Sequence, residues 1–154
     1  MNGNQYFASR YQETNVSTAP PVHLVVMLYD AAICALEEAR GHMERNDISG
    51  RSKALNKCSA IISELQSSLN IKEGGQIASS LNRLYDYMKM TLFRAGAEQN
   101  PGLVVEVLGL LENLRSAWRQ VDSGNAAPAK ESAVFQENTP VAEGEYMSSF
   151  SISA

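Results

Sequence analysis

Long hydrophobic runs are missing from this chain. No stretch approaches the ~20 apolar residues that a membrane-spanning helix needs. Histidine is scarce. His23 and His42 are the only two, nineteen positions apart, too far along one helix to share a metal ion. The Glu-x-x-His pairs of di-iron bundles are absent, so no metal is expected. Cysteine is limited to Cys34 and Cys58. They fit no CxxC or zinc spacing and read as two reduced core thiols. No glycine-rich phosphate loop is present, since Gly74-Gly75 lacks the Gly-Lys-Ser/Thr ending. No cofactor and no catalytic constellation is expected. The N-terminus MNGNQYFASRYQE lacks a basic region followed by an apolar core. The expected compartment is therefore the cytoplasm.

Runs of basic residues are also missing. The segment 19–122 carries 11 Lys and Arg against 12 Asp and Glu. The net charge of −4 comes mainly from the tail 123–154, where Lys130 faces Glu131, Glu137, Glu143 and Glu145. A chain without a basic patch is not expected to bind nucleic acid.

Helical periodicity is abundant. Thr18-Ala19-Pro20-Pro21 signals a helix start, because proline suits a first turn. The first helix is expected from about Pro21 to Arg45. Its stripe is Val25, Leu28, Tyr29, Ala32, Leu36, Ala39 and Met43, widened by Val22, Val26 and Ile33. Asn46-Asp47 and Gly50 mark the turn. The second helix is expected from Ser49 or Arg51 to Leu69, with Leu55, Cys58, Ile62, Leu65 and Leu69 on its stripe. The third starts at or just after Gly74-Gly75 and continues to about Glu98. Ile77, Leu81, Leu84, Tyr85, Met88 and Leu92 share one stripe. This helix carries more apolar surface than one stripe requires, with Tyr87 on the flank and Met90, Phe93 and Ala97 opposite. Asn100-Pro101 pairs an N-cap asparagine with a proline at the first helical position. The fourth helix then runs to about Asp122 on Val104, Val107, Leu108, Leu111, Leu114, Trp118 and Val121.

The chain divides into an arm (1–18), a bundle (19–122) and an acidic tail (123–154). No segment alternates with period two over a strand's length. Four helices joined by short loops imply an all-α antiparallel up-down four-helix bundle, with a flexible N-terminal arm and a disordered C-terminal tail. The arm holds Tyr6, Phe7 and Tyr11, aromatics suited to docking on the body. In the tail, Phe135, Tyr146, Met147 and Phe150 are the residues able to dock. Asp30 and Asp86 each follow Leu-Tyr. They read as helix-surface or inter-helix hydrogen-bonding groups, not as a catalytic pair.

Three ordered segments and a terminal dipeptide carry a family resemblance. Tyr11 to Val16 is followed by Leu24-Val-Val-Met-Leu-Tyr-Asp30. Next comes Ile61-Ile-Ser-Glu-Leu-Gln-Ser-Ser-Leu69. Gly74-Gly-x-Ile-Ala78 then leads to Leu81-x-x-Leu-Tyr-Asp-Tyr-Met88, and Ala117-Trp118 closes the set. The ordered set resembles the FliS family of flagellar secretion chaperones over about residues 6–122. Ala31 departs from the glycine often found after Leu-Tyr-Asp, and the tail from Ser123 has no family pattern.

The resemblance implies a four-helix bundle that binds the C-terminal segment of flagellin, prevents premature polymerisation and delivers the subunit to the flagellar type III export gate. A weak homodimer is compatible with it, and no enzymatic activity is implied. Candidate partner-binding residues are Tyr11 and Val16 on the arm, Ile62, Leu65 and Leu69 on the second helix, and Leu84, Tyr87 and Met88 on the third. Each of the helix residues also has a plain reading as bundle core, least so Tyr87. Two other functions compete with this one. The first is a helical adaptor for another flagellar or secretion component. The second is a histidine phosphotransfer bundle, although neither histidine is followed by the Lys-Gly such a site carries.

Overall fold

The computed structural model describes residues 21–124 together with Val134 and Phe135. Four helices account for the continuous part: α1 (Pro21–Glu44), α2 (Ile48–Ser67), α3 (Ile71–Glu98) and α4 (Pro101–Asp122). The connections are short, so successive helices run antiparallel. α1 packs on α2 and α4, and α3 packs on α2 and α4, closing a four-membered ring. Among the described residues there is no strand, only an isolated antiparallel bridge between Leu69 and Phe135. None of the described helices is long and apolar enough to cross a membrane.

Local chemistry sets most of the helix ends. α2 starts one residue after Asp47, whose carboxylate accepts from the Gly50 N–H at 2.9 Å. A Cβ at Gly50 would lie 2.3 Å from His42 Nδ1, so a side chain there would have to displace the His42 ring. At α4 the expected cap is present. Asn100 accepts from the Gly102 N–H at 2.9 Å, with Pro101 following it. α3 differs from expectation at its start. It begins at Ile71, where the Asn70 side chain accepts from the Glu73 N–H at 3.0 Å. Gly75 then breaks the helix with φ 58° and ψ −133°, a conformation open to glycine. α2 ends at Ser67, short of the expected Leu69. Asn70 takes non-helical backbone to cap α3, and its N–H donates outward to the Val134 carbonyl at 2.7 Å.

The core follows the predicted stripes. Leu36, Ile62, Leu65, Met88, Leu92, Val104, Val107 and Leu111 are fully buried, with Leu28, Ile77, Leu84 and Leu114 packed at the margin. Tyr29 and Tyr85, the tyrosines of the two Leu-Tyr-Asp triplets, meet in this core with their hydroxyls 2.6 Å apart. The pair joins α1 to α3 through the centre of the bundle. Burial is the main reason both phenols resist ionisation.

One thiol departs from expectation. Cys58 is buried, and burial pushes its thiol up to about 12. Cys34 is exposed. It falls between the buried pairs Ala32-Ile33 and Ala35-Leu36 and so points away from the stripe.

Polar pairs fix the register between helices. Arg115 and Arg119 of α4 donate to Asp30 of α1 at 2.9 and 3.2 Å. The Gln66 amide of α2 donates to Asn82 and Asp86 of α3 at 2.9 and 2.8 Å. Asp30 and Asp86 are thus inter-helix hydrogen-bonding groups. His23 meets Asp122 at 2.9 Å, and His42 meets Asp47 at 3.0 Å. The histidines lie at opposite ends of α1.

Candidate partner-binding surface

The eight candidate residues separate into five situations. Ile62 and Leu65 of α2 and Met88 of α3 are fully buried core. They reach a partner only if the bundle opens. Leu84 is half-buried at the core margin. Leu69 is buried beneath the tail. Tyr87 is 48% exposed. Tyr11 and Val16 lie outside the described residues.

Tyr87 belongs to a larger apolar face. Met90 is 60% and Phe93 73% exposed. With Tyr87 they stand at i, i+3 and i+6 on the outside of α3, a spacing that keeps them on one side of the helix. The Tyr87 hydroxyl donates to the Glu106 carboxylate across the α3–α4 junction. That bond keeps the phenol protonated above its ordinary value. Val105 of α4 is also half-exposed, about 100° round the helix from Glu106. Met90 and Phe93 had no assignment from the sequence, and Val105 was missed. The signal for Val105 is its angle, because it lies off the stripe of Val104, Val107, Leu108 and Leu111.

A second apolar feature lies at the end of the bundle where α1 begins and α4 stops. Val134 is fully buried and Phe135 is 3% exposed. Phe135 presents to Trp118 in an edge-on arrangement, with centroids 5.2 Å apart and planes at 70°. Its backbone pairs with Leu69. Burying a large apolar side chain contributes about 1.5–3 kcal/mol. Fixing each backbone residue costs about 1–2 kcal/mol. The two terms are similar, so this docking is held by a narrow margin. Phe135 is one of the tail residues the sequence marked as able to dock.

Both faces are built from apolar side chains. Among the described residues no group of three His, Cys, Asp or Glu side chains is placed to hold a metal ion. The apolar surface instead has the character of a helix-in-groove or extended-peptide receptor.

A match to the family described as Flagellar protein FliS spans residues 2–125. The chain belongs to the FliS family. The flagellar secretion chaperone FliS of Salmonella typhimurium is 37% identical over 121 residues, covering 78% of this chain and 90% of the relative. FliSB of Pseudomonas aeruginosa is 36% identical over 106 residues, covering 69% and 84%. FliS of Bacillus subtilis is 33% identical over 117 residues, covering 76% and 85%. The FliS resemblance carried by the ordered motifs is thereby confirmed. The exposed face of α3 lies inside the matched region, whereas Val134 and Phe135 lie beyond it.

Proposed function

We propose that this FliS-family chain is an export chaperone for flagellin. It binds the C-terminal segment of flagellin in the cytoplasm, holds it from premature polymerisation, and delivers the subunit to the flagellar type III export gate. The observation that supports this reading is the exposed apolar face of Tyr87, Met90 and Phe93 on a member of a secretion-chaperone family. An amphipathic partner helix would lay its apolar side there. Methionine and aromatic side chains suit the task, because they adapt to a partner's shape and tolerate partial exposure. A partner that folds on binding loses entropy, so the contact must extend beyond one helix face. The margin at Leu84 and the end at Leu69 extend it. The arm carrying Tyr11 and Val16 would shield part of this surface when no partner is bound.

The test is co-purification and calorimetry with flagellin, intact and lacking its C-terminal segment. Binding is expected only with the intact form. Binding that survives loss of the segment sinks the mechanism. A bound fraction from cells that contains other flagellar proteins but no flagellin favours the adaptor reading.

A further inference from the structure

We propose that the seat formed by Leu69, Asn70 and Trp118 is an exchangeable peptide-binding site. It takes an extended segment with an apolar residue followed by an aromatic one. The chain's own Val134–Phe135 occupies it in cis and competes there with the flagellin segment. The competition rests on the chaperone reading above, whereas the seat does not.

The geometry is that of strand addition on a minimal scale. One backbone bond, from the Asn70 N–H to the Val134 carbonyl, sets the direction and register of the bound segment. The Leu69–Phe135 bridge runs antiparallel. Specificity comes from the Phe135 ring set edge-on against Trp118. The receptor side is organised independently of the tail. Asn70 caps α3 through Glu73, and Trp118 is held on the buried face of α4. The occupant comes from outside the family-matched region, which ends at residue 125. It is tethered through residues 125–133. A tether of this length holds a ligand at an effective concentration in the millimolar range. Such an occupant excludes weak competitors and yields to a tight one. Leu69, a candidate partner residue, is covered by this occupant.

Trp118 is the chain's only tryptophan and serves as the reporter. In full-length Phe135→Ala, its emission is expected to shift red as the ring loses its cover. A synthetic peptide of residues 131–138 should reverse the shift saturably, and the same peptide with alanine at position 135 should not. Wild type should ignore both peptides. Flagellin should bind Phe135→Ala at least threefold more tightly than wild type. A second variant keeps the doublet intact and lengthens the tether with a Gly-Ser insertion after Ala129. Each doubling of tether length lowers the effective concentration by roughly threefold, so flagellin affinity should rise toward that of Phe135→Ala. Failure of the peptide to restore Trp118 emission overturns the seat. Equal or weaker flagellin binding by both variants overturns the competition. Emission that varies with protein concentration in wild type assigns the occupant to a second copy and overturns the cis arrangement. Absence of flagellin binding by every form sinks the chaperone reading and the competition together, and the peptide titration alone then decides the seat.

Discussion

The hydroxyls of Tyr29 and Tyr85 lie 2.6 Å apart in the buried centre of the bundle. They come from the two Leu-Tyr-Asp triplets, on helices that face each other across the ring. The aspartates that follow them turn outward. Asp30 meets Arg115 and Arg119, and Asp86 meets Gln66. One triplet therefore does two jobs in each helix. Its tyrosine joins opposite helices, and its aspartate joins neighbouring ones.

Removing either hydroxyl leaves its partner buried without that bond. Tyr29→Phe and Tyr85→Phe should each lower unfolding free energy by about 1–3 kcal/mol. The double variant should lose less than the sum of the two. Urea denaturation of the four proteins measures the cycle. Strict additivity would contradict a direct bond.

The same pair predicts alkaline lability. Burial raises Tyr29 to about 12 and Tyr85 well above 10, whereas tyrosine in the unfolded chain ionises near 10. Between those values the folded state keeps protons that the unfolded state has released. Stability is therefore fully present below pH 10 and falls as pH rises through the folded values, by about 1.4 kcal/mol per pH unit for each phenol. Phenolate absorbance should show two of the six tyrosines silent until helicity is lost. Ionisation of all six near pH 10 with helicity intact would contradict the assignment.

Two glycines should respond to alanine with opposite signs. A Cβ at Gly75 or at Gly109 meets nothing within 4 Å, so space does not distinguish them. Gly75 sits at φ 58°, and Gly75→Ala should destabilise by about 1–3 kcal/mol. Gly109 lies inside α4 without a positive φ. Gly109→Ala should stabilise by about 0.5–1 kcal/mol. Thermal denaturation followed by circular dichroism reads both.

The outer and inner faces of α3 should separate binding from folding. Tyr87→Asp and Phe93→Ser change exposed side chains, so stability should move by no more than about 0.5 kcal/mol. Flagellin affinity should drop at least tenfold for Tyr87→Asp. Met88→Ala opens a fully buried site and should cost about 2–5 kcal/mol of stability. Calorimetric titration beside denaturation gives both quantities. Unchanged affinity in Tyr87→Asp removes Tyr87 from the surface.

Stripe positions such as Leu36, Leu92 and Leu111 were legible because a helix repeats every 3.6 residues, and burial follows that period. The cap at Asn100 was legible because its side chain bonds the backbone only two residues away, whereas Asp47 read only as part of a turn. The site was less legible. Ile62, Leu65 and Met88 carry the residue types of a binding surface and of a core alike. Only packing shows them enclosed. Cys34 looked like core because thiols are usually buried, but its angular position overrides that preference.

The sequence by itself determined four helices, their order, their inward faces and the family, since each rests on local periodicity, capping chemistry or ordered motifs. Tertiary structure alone decided the Tyr29–Tyr85 bond, the exposure of Met90 and Phe93 and the seating of Phe135 on Trp118. Those depend on groups far apart in the chain. Their energies exist only after the ring of helices has closed, and no periodicity within one segment encodes them.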